Sequence, residues 1–266
     1  MAVFLGTGNN DTLTGTEQND IIFGQAGNDT ISSFGGDDSL FGEAGDDTID
    51  GGNGNNFIDG GNGNDSIDVG NGNNLILGGN GNDNIFGGNG SNNIFAGNGD
   101  DSVRGGEGSE TLYGEDGNDN IFGYYGNDIL NGGAGNDRLE GSFISSGLEE
   151  IDRLTGGDGS DTFVLAGSGG AAYESSYIRG GNSNYALITD FNLSEDKIEL
   201  ARVSGTNRLS QDIEYSLGAA PSGLPQGTAI YVDNLGIKPD LIAILQGVEP
   251  SSVSLSQPYF QFAFDF

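Results

Sequence analysis

One apolar side chain recurs every nine residues through the first half of the chain. From Gly6 to Glu140 the inner positions read Leu13, Ile22, Ile31, Leu40, Ile49, Ile58, Ile67, Ile76, Ile85, Ile94, Val103, Leu112, Ile121, Leu130 and Leu139, and none is polar. These 135 residues divide into fifteen units of nine. An insertion, Gly141 to Ser146, breaks the phase; two further units follow with Leu154 and Phe163 at the apolar place, and the array ends near Val164.

A unit of nine splits into six loop residues and three strand residues. Three residues are too few for a strand that stands alone. When successive strands alternate between two facing sheets, eighteen residues complete one coil and the single aliphatic of each unit points between the sheets. The pattern therefore predicts an all-β fold, a parallel β-roll over residues 1–164, with a separate section over 165–266. Glycine, 51 residues in all, falls at fixed places in the loops. There it permits positive φ and close backbone approach, so that carbonyl oxygens converge where a side chain would obstruct them.

Those carbonyls, with the Asp of each loop, are hard oxygen ligands that suit calcium better than a transition metal. Between positions 6 and 140 stand 24 acidic and 2 basic residues, Arg104 and Arg138. Without metal such an array repels itself around a core one side chain wide, and it is expected to be disordered until several calcium ions bind. Histidine, cysteine and tryptophan are absent. Metal thus stands where disulfides would in a secreted protein. A net charge of −32 excludes nucleic acid as a partner and disfavours an anionic membrane surface. The start, Met-Ala-Val-Phe-Leu-Gly, reads as neither a cleaved signal peptide nor a membrane span.

The units 60–68, Gly-Gly-Asn-Gly-Asn-Asp-Ser-Ile-Asp, and 132–140, Gly-Gly-Ala-Gly-Asn-Asp-Arg-Leu-Glu, resemble the repeats-in-toxin (RTX) nonapeptide. That resemblance implies a right-handed parallel β-roll with calcium held between loops eighteen residues apart. It also implies the aspartate ligands Asp11, Asp20, Asp29, Asp38, Asp47, Asp65, Asp83, Asp101, Asp119, Asp128, Asp137, Asp152 and Asp161.

The units separate by parity. Odd-numbered units keep Asp at the ligand place from Asp11 through Asp137, whereas the middle even units carry Asn56, Asn74, Asn92 and Glu110. Asn offers a carbonyl oxygen without charge, so the even edge is expected to hold metal weakly or not at all along that stretch; neutral drift in a redundant array is the competing explanation. The outward strand positions differ too. Odd strands present pairs such as Thr12 and Thr14, while even strands present Ile21, Phe23, Phe41, Phe57, Leu75, Leu77, Phe95, Tyr113 and Ile129. With strands about 4.8 Å apart this apolar stripe runs roughly 30 Å, enough to mark a contact surface. Three alternatives stand for it: a cover from the carboxy-terminal region, a cover from a second copy or partner protein, or no cover at all.

After residue 165 glycine thins and apolar clusters appear at Ala186–Phe191, Lys197–Leu200, Ala229–Val232 and Leu241–Leu245, which reads as a small β-rich cap. The segment Ile188-Thr-Asp-Phe-Asn-Leu-Ser-Glu-Asp-Lys-Ile-Glu-Leu resembles the stretch after the last repeat in RTX proteins exported by type I secretion. In that family the export signal is carboxy-terminal and uncleaved, and the chain here ends in an aromatic tail, Pro-Tyr-Phe-Gln-Phe-Ala-Phe-Asp-Phe, which reads equally as a last edge strand. Asp190 and Asp196 are either two further ligands or ordinary turn carboxylates.

No enzymatic activity is expected. The repeats begin at residue 6, no histidine is present to serve a nucleophile or a zinc site, and no Gly-x-Ser-x-Gly occurs. The leading expectation is an extracellular calcium-binding structural protein that self-associates into a surface, filament or matrix component. The alternative is a calcium-dependent binding module or adhesin that meets a ligand such as a cell-surface or matrix polysaccharide.

Overall fold

The structure, a computed structural model, describes residues 1–142, 150–165, 185–201, 214–233 and 240–263. Strands alternate between two sheets, as the nine-residue period requires. The even sheet stacks Ile21–Ala26, Ser39–Ala44, Phe57–Asn62, Leu75–Asn80, Asn93–Asn98, Thr111–Asp116 and Ile129–Ala134; the odd sheet stacks Thr12–Thr14, Thr30–Ser32 and their successors up to Arg138–Ser142. Pairing along this stretch of both sheets is parallel with an eighteen-residue register: Ile22 faces Leu40 in one, and Ile31 faces Ile49 in the other. Two units therefore make one coil.

Between the sheets runs a single file of aliphatics. From Ile22 to Leu139 every inner residue of the array is fully buried or within 1% of it. Leu13 and Phe4 are partly buried against the first of them. The strand Val3–Leu5 pairs with Ile21–Ala26, so the even sheet already begins before Gly6. Beyond the insertion, whose residues 143–146 lie outside the described set, the file continues through Leu154 and Phe163 to Ile188 and Ile198.

Strand length departs from expectation. The odd strands are mostly three residues long, as predicted, but even strands extend to six, because pairing runs on into the next loop, Gln25 opposite Glu43 and Ala26 opposite Ala44. This extra pairing is made by the backbone and leaves no trace in the aliphatic period. It follows a left-handed residue at the second loop place; Gln25 (φ 81°) and Glu43 (φ 73°) adopt it at a steric cost that Gly61 and Gly79 avoid.

The carboxy-terminal section is β-rich, and each apolar cluster read from the sequence falls in a strand or at its end. It does not form a separate cap at first. Tyr185–Ile188 continues the even sheet in parallel, and Lys197–Ala201 followed by Phe260–Ala263 continues the odd one. Only then does the even sheet turn mixed: Asp240–Gln246 pairs in parallel with Tyr185–Ile188, and Gly227–Asp233 and Glu214–Ala219 add antiparallel strands. Phe191 packs edge-on between Phe163 and Tyr259, with both ring centroids at 6.0 Å, and closes the aliphatic file. Arg138 pairs with Glu199 and ties the roll to this section.

These strands lengthen the sheets along the roll axis, so the described part of the section is not a cover for the apolar stripe. Phe23 stacks on Phe41 and Phe95 on Tyr113, each at 4.8 Å between centroids, while Leu75 and Ile129 remain 38% and 43% exposed.

Candidate metal centre

The loop aspartates form a ladder through the molecule. Along the odd edge the backbone N–H of each Asp donates to Oδ1 of the Asp one coil ahead. Asp11 to Asp29, Asp29 to Asp47, Asp47 to Asp65 and Asp65 to Asp83 all measure 2.7 Å. Asp83, Asp101, Asp119 and Asp137 continue the column to Asp161 at 2.6–2.9 Å. Asp161 then donates to Asp196 at 3.1 Å, which makes Asp196 the next rung. Asp190 has another role, accepting from the N–H groups of Gly156 and Gly157.

The ladder uses one carboxylate oxygen and leaves the other. Oδ2 of Asp29, Asp47, Asp65, Asp83, Asp101, Asp119, Asp137 and Asp161 is buried without a hydrogen-bond partner. Such atoms carry a large desolvation penalty unless a cation or proton meets them. A glycine opens all but one of these odd-edge loops, and its missing side chain keeps room beside that oxygen. A Cβ on Gly60 would stand 2.5 Å from both Asp65 Oδ2 and the carbonyl oxygen of Gly78 in the next coil. At Gly24 the corresponding distances are 2.5 Å to Asp29 Oδ2 and 2.8 Å to the Gly42 oxygen. Ala96 is the one side chain at this place on the odd edge between Gly6 and Gly156.

Electrostatics marks the same groups. Burial pushes the carboxyls of Asp47, Asp65, Asp101 and Asp137 up to about 6, and those of Asp83, Asp119 and Asp161 up to about 7. Ladder N–H donors oppose the rise, and neighbouring aspartates in the same column add to it.

The first coil differs. Oδ2 of Asp11 accepts from the N–H and hydroxyl of Thr7, and Oδ2 of Asp20 from those of Thr16. Both aspartates stand in the ladder, but a threonine already meets the oxygen that the other loops leave open.

Asparagine changes the even edge more thoroughly than loss of charge alone. The Asn56 side-chain amide donates to the Gly51 carbonyl at 2.8 Å, which also accepts from the Ser33 hydroxyl at 2.8 Å. Asn74 donates to Oδ1 of Asn92 at 2.9 Å and to Gly72 at 3.2 Å; Asn92 donates to Gly90 at 3.1 Å. Val69 replaces the opening glycine of the Asn74 loop and is 3% exposed. Asp38 keeps an unpartnered Oδ2, facing a coil whose Gly51 carbonyl is already taken.

Glu110, grouped in the sequence with the asparagines, differs from them in the fold: it is 1% exposed, and both its carboxylate oxygens are buried without a hydrogen-bond donor from the backbone or an amide. A Cβ on Gly105 would lie 2.9 Å from Glu110 Oε2 and 2.6 Å from the Gly123 oxygen, the same arrangement as on the odd edge. Its N–H donates to Asp128 Oδ1, and that of Asp128 to Asp152 Oδ1, each at 2.9 Å. Burial pushes Glu110 up to about 7; burial and the adjacent Asp152 raise Asp128 further. The chemical hint was the retained charge, and only the coil geometry shows that the longer side chain still reaches the gap.

Among the described residues no three acidic side chains cluster on one point. The donor sets combine a carboxylate oxygen with backbone carbonyls, an all-oxygen supply that fits a hard divalent cation and lacks the nitrogen or sulfur a zinc site would use. In the loops that keep Asp beside an opening glycine, Asp Oδ2 and the carbonyl of the next coil would hold the ion, whose charge offsets the desolvated carboxylates.

The RTX calcium-binding nonapeptide repeat matches residues 5–33, 32–67, 68–103, 104–139 and 146–170. Repeats of this kind bind several calcium ions and are typical of secreted bacterial proteins. No curated protein matches the chain. Among solved structures, it is similar to the solution structure of the AlgE6R3 subunit from the Azotobacter vinelandii mannuronan C5-epimerase, at 27% identity and a TM-score of 0.25, covering 62% of this chain and 80% of that one. With matched repeats over more than half its length and the carboxylate ladders they build, this chain belongs to the RTX calcium-binding nonapeptide repeat family.

Proposed function

We propose that this protein is an extracellular structural component, exported by a type I route and ordered by calcium, that assembles with further copies of itself through the outward face of its even sheet. The role is architectural rather than catalytic. A chain without histidine or cysteine lacks the usual partners for an activated nucleophile, and its buried loop aspartates are committed to the ladders.

The charge pattern of that face carries the reading. Its outward ladders run Phe23, Phe41, Asp59, Leu77, Phe95, Tyr113 and Ile21, Ser39, Phe57, Leu75, Asn93, Thr111, Ile129, with Asp59 the one charged member. The opposite face presents four charged side chains, Asp50, Asp68, Arg104 and Arg138. In a molecule of net charge −32, this is the side on which two copies meet with the fewest charges to desolvate and the most apolar surface to bury. A basic partner would be drawn instead to the acidic loops. Static light scattering with and without calcium, on wild type and on the double variant Phe41→Asp with Phe95→Asp, tests it: self-assembly predicts a rise in wild type that the variant loses.

A further inference from the structure

We infer that calcium loads the two edges of this roll unequally: the even edge between Gly51 and Asn92 is a metal-free seam closed by the protein's own amides, and the even-edge run of ions opens at Glu110. The inference rests on the reading of the odd-edge loops as calcium sites, and it adds where the ions stop.

The two kinds of loop differ in what meets the buried oxygens. On the odd edge Oδ2 of Asp65 and of Asp83 has no donor, and the carbonyl of the next coil stands across a gap that an absent Cβ leaves open. On the seam the same elements bond each other. Asn56 and Ser33 both donate to the Gly51 carbonyl, at 2.8 Å each, which occupies both lone pairs of an oxygen that would otherwise face a cation. The Asn74 amide donates to Asn92 Oδ1 at 2.9 Å, so the side-chain oxygen nearest the next coil is spoken for.

Space is closed as well. Val69 Cγ1 lies 2.8 Å from where a Cβ on Gly51 would stand, so an isopropyl group fills the end of the gap that glycine keeps open elsewhere. Its 3% exposure places that group inside the roll beside the aliphatic file. An ion there would have to displace an amide donor and a valine, and would find a neutral oxygen in return. At Glu110 both conditions reverse: its two buried carboxylate oxygens meet no amide donor and face a second carboxyl, that of Asp128, and Gly105 and Gly123 restore the opening.

The seam also explains how the middle coils tolerate ions on one edge only. Between residues 51 and 98 the chain carries four acidic side chains, Asp59, Asp65, Asp68 and Asp83, against ten in residues 1–50. Fewer ions are needed where fewer charges crowd.

The test is long-wavelength anomalous diffraction from crystals of the full chain grown in calcium, with bound calcium counted by elemental analysis after gel filtration. We expect anomalous peaks beside Asp47, Asp65, Asp83 and Glu110 and none beside Asn56, Asn74 or Asn92. The double variant Val69→Gly with Asn74→Asp should gain one calcium per chain, and Glu110→Gln should lose one. A peak beside Asn74 in wild type, or an unchanged count in Glu110→Gln, overturns the inference. If the double variant does not fold, the wild-type map and Glu110→Gln still decide it. Absence of peaks beside Asp47, Asp65 and Asp83 would remove the calcium-site assignment itself, an outcome distinct from a filled seam.

Discussion

The amide of Asp65 donates to Oδ1 of Asp83 across 2.7 Å and eighteen residues, while Oδ2 of the same Asp83 is buried without a partner. One carboxylate thus serves the backbone ladder and demands a cation at once. Folding of the coil and binding of the ion become one event, because the ladder cannot form without burying the orphan oxygen. Circular dichroism should therefore show β structure appearing with calcium, at roughly 0.1 to 1 mM for an extracellular module, and vanishing with chelator. Hydrogen exchange along that titration should protect residues 51–98 at the lowest calcium, since one edge of those coils is already closed by amides. Full β structure in excess chelator would contradict the coupling, and simultaneous protection of all coils would contradict the order.

Acid should partly replace the ion. Burial raises Asp83, Asp119 and Asp161 from 3.8 to about 7 in the metal-free fold. A group with a raised folded pKa favours the fold below its unfolded value and loses that contribution as pH rises through the folded one. In chelator, then, β content should grow as pH falls from about 7 to about 4. With calcium present the sign reverses, because protons compete with the ion for the same oxygens. Paired pH titrations by circular dichroism check both, and a metal-free protein indifferent to pH would show that these carboxylates are not what opposes folding.

The repeat was legible because its physics is periodic. Ile58 and Ile67 lie inward since nine residues return the chain to the facing sheet, and Asp65 lies under Asp83 since eighteen return it to the same edge. What the period could not show is contact. Thr7 and Thr16 occupy ordinary loop places, yet their hydroxyls bond Asp11 and Asp20. Val69 stands in the sequence where most loops carry glycine, and in the fold it is a plug. Asn56 reads as a weakened ligand, whereas its amide nitrogen, invisible to an argument about oxygens, closes the loop on Gly51. Asp196 stands in the sequence as either a further ligand or a turn carboxylate; its spacing of 35 residues from Asp161 hides the register, which the strand pairing of Ile198 with Phe163 restores.

Glycine in a loop should be replaceable only where nothing stands beside it. Alanine at Gly60 puts a methyl 2.5 Å from Asp65 Oδ2 and from the Gly78 oxygen, whereas a Cβ at Gly8 meets nothing within 4 Å. Neither glycine has a positive φ, so the difference is one of space rather than backbone strain. Gly60→Ala should cost about 1–3 kcal/mol, typical of overpacking, and raise the calcium midpoint of folding; Gly8→Ala should leave it unchanged. Equal midpoints for the two variants would show that the opening is not the ion's space.

Self-assembly makes the most exposed prediction, because it must overcome a charge of −32 on each copy. Calcium acts twice, ordering the strands that present the stripe and neutralising the loops that flank it. Monovalent salt screens charge without ordering anything, with a Debye length near 10 Å at 0.1 M. Salt alone should therefore leave scattering flat, calcium alone should raise it, and salt added to the calcium-loaded protein should raise it further. The variant Phe41→Asp with Phe95→Asp is a fair probe, because Asp59 already occupies the same outward register between Phe41 and Leu77, so the sheet accommodates a carboxylate there. Its circular dichroism in calcium should match wild type while its scattering stays at the monomer value. A variant that folds and still assembles would exonerate the stripe, and a wild type that folds in calcium yet stays monomeric at every salt concentration would end the proposal.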